Sequence, residues 1–345
     1  MNLLPFGRTT SGRRLNPALC SKFLMRNKID VLACPNCLGS LDNVKSALVC
    51  RKCERRFLVE DAIPCFAPTN LFYDSYAEEH CPYALSPAGL KGFVLRFLPF
   101  WSWREWRFWR LTIPDKTPCL LDLGCGRGRE LFVSRAQKTV GYDSSLQLLR
   151  DCAVHYDAVA LGTLPRLPFR SGAFDVVVSS HVIGHIPAAD KDALIEEIDR
   201  TLRPGGITAH IIETDSDHPA VTAAKAKVEA YRQRFVDQHA HVGLEPAQQA
   251  IARFQRRGFR VRKRFLVDAI IPSVLNVRRF FNHPDFADLP GLAWSRRLDR
   301  WTAANPVVNT AYEIFMGGFH RTFEQWLGRP SRAQFILVAF EKPGP

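Results

Sequence analysis

The chain has 345 residues, 46% hydrophobic and 23% charged, which is the composition of a globular protein with room for two or three folded units. It contains no run of about eighteen apolar residues, which argues against a simple membrane-spanning helix. Lys and Arg number 47 against 34 Asp and Glu, and the net charge of +13 favours an anionic partner: nucleic acid, anionic lipid or an acidic substrate.

Residues 1–30 hold Arg8, Arg13, Arg14, Lys22, Arg26 and Lys28, with no acid before Asp30. This composition reads as a disordered basic tail, with an organellar transit peptide as the alternative. Residues 31–68 follow with Cys34-Pro-Asn-Cys37 and Cys50-Arg-Lys-Cys53. Each pair can turn two sulfurs onto one ion, so Cys34, Cys37, Cys50 and Cys53 are candidate zinc ligands in a tetrahedron of thiolates. A segment this short has little core of its own, and the metal would supply its folding free energy. Redox-active pairs fit less well, because no thioredoxin-like βαβ pattern surrounds them. The other cysteines have no metal spacing, so the ten together indicate a reducing, cytoplasmic setting. With Asp61-Ala62-Ile63-Pro64 after the second pair, the segment resembles the zinc ribbons of the small activator subunit of tRNA and protein methyltransferases. It is also similar to the ribbons that precede the catalytic domain in large-subunit rRNA guanine methyltransferases. The resemblance implies a structural or recognition role for the metal.

Residues 69–115 form a connector. A helix is expected over Leu71–Ala77, and a second between Pro99 and Pro114. In the second, Arg104, Arg107 and Arg110 share one side while Trp101, Trp106, Phe108 and Trp109 fall on the other. That pattern suits peripheral membrane contact through 92–111, a lid over an apolar substrate, or a helix packed on its neighbour.

From 116 to 345 apolar strands alternate with helical segments, which implies a mostly parallel α/β sheet. Cys119–Leu123 ends in Gly124-Cys125-Gly126-Arg127-Gly128, and Thr139–Tyr142 ends in Asp143. The glycines bring backbone close to a ligand, and an ionised acid at the second strand tip suits ribose hydroxyls. The spacing is Gly-x-Gly-x-Gly, so the pyrophosphate fingerprint is not met and a nucleoside without phosphates is favoured. Together with Leu167-Pro168-Phe169, Phe174-Asp175-Val176-Val177 and Leu202-Arg203-Pro204-Gly205-Gly206, these residues resemble the ordered motifs of class I S-adenosylmethionine-dependent methyltransferases, in the branch with quinone-biosynthesis enzymes. The likeness covers about 116–268 and implies a Rossmann-like, seven-stranded, mostly parallel sheet with helices on both faces. It implies S-adenosylmethionine as cofactor, closed over by the Leu71–Ala77 helix. Asp122, Gly124, Cys125, Gly126, Asp143, Ser144, Thr163, Leu164 and Ser180 would bind it. Thr163 stands where the family usually carries the acid that meets adenine.

The residues just past the fourth strand, Ser179 to His185, lie where ligands meet in open α/β sheets. His181 and His185 are the candidate catalytic groups, His181 as a general base. An insertion at 269–333 separates the last two strands and carries no assignable chemistry, and nothing in the sequence fixes the oligomeric state. The fourth strand lacks the Asn/Asp-Pro-Pro-aromatic motif of exocyclic-amine methyltransferases and the Pro-Cys pair of cytosine-C5 enzymes. The first expectation is therefore oxygen or carbon methylation of a small, lipid-linked or glycan substrate, in a cytoplasmic protein that can touch a membrane. The alternatives are a ring nitrogen of RNA, which suits the ribbon and the charge, and a non-catalytic cofactor-binding partner protein.

Overall fold

The computed structural model describes residues 30–80, 82–271, 284–286, 288–289 and 293–344. The basic tail before residue 30 and part of the 269–333 insertion lie outside the described residues.

The cysteine-rich segment folds as four short antiparallel strands: β1 (Leu41–Val44), β2 (Ala47–Cys50), β3 (Arg56–Glu60) and β4 (Ile63–Cys65). The alternating region supplies β5 (Thr117–Leu123), β6 (Ala136–Asp143), β7 (Ala158–Leu161), β8 (Phe174–Ser180), β9 (Leu202–Glu213), β10 (Arg260–Val267) and β11 (Phe335–Glu341). These seven lie in the order β7-β6-β5-β8-β9-β11-β10, parallel except for β11, which runs antiparallel to both neighbours. The expected Rossmann-like sheet is present.

The ribbon continues that sheet. Cys65 of β4 pairs in parallel with Leu161 of β7, and the Phe66 N–H donates to the Leu161 carbonyl at 2.8 Å. A second seam joins Leu32 to Phe169, with the Ala33 N–H on Pro168 and the Arg170 N–H on Val31, each at 2.9 Å. Among the described residues the result is one eleven-stranded sheet. The β7 edge, whose unpaired backbone groups would otherwise be open to solvent or to another chain, is covered from within the same chain.

Side chains alternate across β5, so Leu121 joins one apolar layer and Leu120 the other. The first layer gathers Phe169, Phe174, Ile198, Phe254 and Phe340 together with Leu32 and Leu48 of the ribbon. The second gathers Trp101, Phe108, Trp109, Phe132, Leu149 and Val176. The Pro99–Pro114 expectation resolves into a 3₁₀ turn (Trp101–Trp103) and a helix (Arg104–Thr112). Trp101 and Trp109 are each 1% exposed, so these two are core residues, whereas Phe93 and Phe97 in the same 92–111 stretch stand exposed. The arginines are engaged too. Arg107 donates to the Leu98 and Phe100 carbonyls at 3.0 and 2.9 Å, and Arg104 lies 4.6 Å over the Trp101 ring.

In the insertion, the helix Pro306–Phe319 packs on the Trp101–Trp103 turn, where a Cβ on Gly317 would meet the Pro99 carbonyl. β9 begins pairing with β8 at Leu202. Its register slips where Phe174 faces Leu202 and Val176 faces Ile207, so the Arg203–Gly206 turn bulges out. Among the described residues no helix is long and apolar enough to cross a membrane.

Candidate active site

Buried β5 delivers the chain to its C-terminal edge, where the glycine turn begins. Gly124 and Gly128 have φ of +64° and +90°, a region that disfavours any side chain. A Cβ on Gly124 would lie 2.3 Å from Val182, and one on Gly128 2.8 Å from the Tyr156 ring. The turn is laid over the tip of β6 by the Gly124 N–H, which donates to the Tyr142 carbonyl at 2.8 Å. Asp143 follows directly. Its carboxylate accepts the Gly126 N–H at 2.9 Å and the Ser145 N–H at 3.0 Å, and burial still lifts its pKa above the usual carboxylate value.

Asp122 behaves differently. It is 2% exposed beneath the turn and accepts the Tyr156 hydroxyl at 2.8 Å, while burial pushes its pKa up to about 7. The Tyr156 oxygen in turn accepts the Arg129 N–H at 3.0 Å. Asp122 braces the turn from below. Cys125 is buried against Gly141, filling the turn. Ser144 contributes its carbonyl to the Asn70 N–H at 2.8 Å, which anchors the start of the helix Leu71–His80. The next helix is capped by Ser145, whose hydroxyl accepts from Leu148 and donates to Asp74. The Gly162 N–H donates to the Asp143 carbonyl at 2.9 Å, which sets Thr163 and Leu164 on the same rim, Thr163 exposed and Leu164 packed on the core. Across the gap Arg129 donates to the Ser180 hydroxyl at 2.8 Å, joining the glycine turn to the end of β8.

Past Ser180 the chain reverses at His181, whose φ is +59°. Its imidazole lies between Glu213, at the end of β9, and Glu105, 3.5 Å away. Burial opposes the charged ring, but the two carboxylates outweigh it and raise the His181 pKa to about 10. The same pairing overcomes burial and holds Glu213 down to about 2. That pairing favours the charged imidazolium and leaves both ring nitrogens facing carboxylates. His185 closes the 3₁₀ turn Ile183–His185. Its Nδ1 lies 3.2 Å from the Ala240 carbonyl, and burial lowers its pKa, so the ring is neutral with Nε2 bearing the lone pair. The His185 ring centre is 6.3 Å from that of Tyr73 on the Leu71–His80 helix and 4.8 Å from that of His241.

Arg129, Glu105, Glu213 and His241 were not foreseen. Glu213 ends a strand at the same sheet edge as Asp143, so the strand-end rule applied to β9 would have found it. His241 sits in a connection without any motif.

In the ribbon, the sulfurs of Cys34 and Cys53 lie 3.6 Å apart and those of Cys37 and Cys50 3.4 Å apart, and all four converge within 4.8 Å. A tetrahedron with metal–sulfur bonds of about 2.3 Å needs sulfurs about 3.8 Å apart, so the donor set fits. A Cβ on Gly39 would lie 2.9 Å from the Cys50 sulfur, so glycine leaves the cluster its space.

A methyltransferase-domain family model matches residues 121–210, and a Trm112p-like protein model matches residues 29–61. Similar curated proteins include the tRNA (carboxymethyluridine(34)-5-O)-methyltransferase ALKBH8 of Macaca fascicularis, 37% identical over 86 residues, 25% of this chain and 13% of that protein. The tRNA (carboxymethyluridine(34)-5-O)-methyltransferase of Arabidopsis thaliana is 31% identical over 88 residues, 25% of this chain and 22% of that protein. An arsenite methyltransferase of Aquipseudomonas alcaligenes is 32% identical over 106 residues, 25% of this chain and 30% of that protein. The chain thus spans less than a third of the length of each of these relatives. Among solved structures, the complex of the Haloferax volcanii Trm112 methyltransferase activator with a methyltransferase aligns with a TM-score of 0.46 and 16% identity, over 80% of this chain and all of that one. This chain joins a Trm112p-like zinc-ribbon module, over 29–61, to a domain of the class I S-adenosylmethionine-dependent methyltransferase family, matched over 121–210.

Proposed function

We propose that the protein is an S-adenosylmethionine-dependent methyltransferase whose acceptor is an oxygen carried on RNA, with tRNA the first class to test, and that its ribbon holds zinc through Cys34, Cys37, Cys50 and Cys53. The observation that carries the RNA reading is the seam between β4 and β7. It fixes the Trm112p-like ribbon, with exposed Arg51, Lys52, Arg55 and Arg56, in the same sheet as the glycine turn. A basic surface rigidly tied to a nucleoside site is what an anionic polymer requires. The small, lipid-linked or glycan acceptor expected first draws no support from the ribbon or from the tRNA enzymes among the relatives, and RNA takes its place.

The cofactor fits the cradle on two counts. The turn crosses the sheet edge in a left-handed conformation closed to side chains, its Gly124 N–H held on the Tyr142 carbonyl, and Asp143 stands beside it with acceptor capacity to spare. Bound there, S-adenosylmethionine supplies an activated methyl group, and the chain aligns the acceptor and excludes water. Asp143 would accept from the ribose hydroxyls, with Gly126, Ser144, Thr163 and Leu164 along the same rim. Arg129 and Ser180 close the opposite end. His181, held between Glu105 and Glu213, fixes the end of β8 beside the acceptor position. The tRNA relatives are named for an oxygen of carboxymethyluridine; a carboxylate is already ionised and needs no base, which suits a site whose strand-end histidine is charged.

The test is incubation with methyl-labelled cofactor and separated host tRNA, rRNA, lipid and small-molecule fractions. Label should enter tRNA and be released by nuclease; label confined to nuclease-resistant material would overturn the RNA reading. In parallel, Asp143→Ala should weaken cofactor binding in calorimetry by about 1.5–3 kcal/mol, the loss of a charged hydrogen bond. Unchanged affinity would remove Asp143 from the site.

A further inference from the structure

Three side chains from separate segments converge at the ends of β8 and β9, on the acceptor side of the glycine turn. One ligand-type atom from each of His185, Glu213 and His241 lies within 4.8 Å of the other two. We propose that these residues form a second metal site, distinct from the four cysteines, for a divalent first-row transition cation such as zinc.

The tautomer of His185 is already set. Its Nδ1–H donates to the Ala240 carbonyl at 3.2 Å, which leaves Nε2 as the donor atom for a metal. A backbone carbonyl on the far nitrogen is the usual outer support of a metal-binding histidine. Glu213 is held in a comparable way, with one oxygen on the His181 ring and the other, Oε2, buried without a hydrogen-bond partner. The Nδ1 of His241 is buried and unpartnered as well. Two orphaned polar atoms on residues of one cluster are costly in a protein interior, and a cation bound by both residues would remove both penalties.

The backbone is arranged to bring these groups together. A Cβ on Gly184 would press to 2.9 Å from Glu213 Oε2, and one on Gly243 would overlap the Ile186 carbonyl. The Gly243 N–H donates to the Gly184 carbonyl at 3.0 Å, drawing the loop that carries His241 onto the turn that carries His185. Ala240, which supplies the supporting carbonyl, sits at φ +53°, a conformation unfavourable for alanine and of the kind retained at ligand sites. Metal–ligand bonds of about 2.0–2.2 Å need donors about 3.3–3.5 Å apart, and small rotamer shifts would close the triad to that size. Two imidazoles and a carboxylate suit zinc, cobalt or iron, and three protein ligands leave a fourth position for water or an acceptor oxygen.

Cobalt(II) titration of the metal-free, full-length protein tests the proposal without any need for activity or a known acceptor. Two equivalents should bind: one with the sulfur-to-metal charge-transfer bands of the thiolate cluster, and one with weak visible bands lacking sulfur character. His241→Ala and His185→Ala should each lose the second equivalent and keep the thiolate bands, which report that the fold is intact. A single, thiolate-only equivalent in the unaltered protein overturns the site, as does a second equivalent that survives both substitutions. A failure to methylate RNA would leave this result untouched, so the two readings fail separately.

Discussion

Two acids that look interchangeable in the sequence, Asp122 and Asp143, each near a strand end and two residues from a glycine, are separated by their surroundings. Asp143 sits at the rim and is met by backbone N–H groups, whereas Asp122 lies under the turn with the Tyr156 hydroxyl. Burial raises the folded-state pKa of Asp122 to about 7 from an ordinary 3.8, so the folded protein holds that proton more tightly than the unfolded chain. Below about pH 4 both states are protonated and the group contributes nothing to pH dependence. Between about pH 4 and 7 stability falls as pH rises, and above about 7 the destabilisation is constant. Urea unfolding across that range should show the wild type losing stability relative to Asp122→Asn as pH increases, with the difference level above about pH 7. Parallel profiles would mean that Asp122 ionises at its ordinary value. The glycines were legible because their spacing reports a backbone demand that no other residue meets. The partners of His181 were not, because Glu105 and Glu213 are far apart in sequence and only the fold brings them to one ring.

Element types followed from periodicity, since β5 and β8 are apolar on both faces as central parallel strands must be. The sequence could not show the joint between β4 and β7, which is a single parallel register pair between segments almost a hundred residues apart. That joint changes what the ribbon does. Leu32, Leu48, Cys34 and Cys50 belong to the same apolar layer as Phe169 and Phe174, so the four-cysteine cluster supports one wall of the methyltransferase core. Removing the metal with a chelator, or substituting Cys37→Ser, should therefore lower the melting temperature of the whole chain in one cooperative transition, and cofactor affinity should fall with it. Calorimetry showing a separate small transition for the ribbon, with the main one unmoved, would make it an independent unit.

On the scale of the whole molecule, the net charge of +13 is spread unevenly enough to carry a specific expectation. On the ribbon turn, Arg51 is committed to Asp42 through a bidentate pair, while Lys52, Arg55 and Arg56 stand exposed beside it. Each phosphate neutralised by such a side chain releases a condensed counterion, so the logarithm of RNA affinity should fall linearly with the logarithm of salt. Every phosphate left without its cation should lower that slope by about 0.7–0.9. Replacing Lys52, Arg55 and Arg56 together with Ala should reduce the slope by up to about 2–3 and weaken tRNA binding most at low salt. Affinity for S-adenosylhomocysteine should stay unchanged, because all three belong to the exposed β2–β3 side of the ribbon and not to the glycine turn. Fluorescence anisotropy over a salt series reads both slopes directly. If the triple variant keeps the wild-type slope, the ribbon does not touch RNA, and the positive charge that meets the acceptor must be sought around Arg104, Arg129 and His181 at the ends of the central strands.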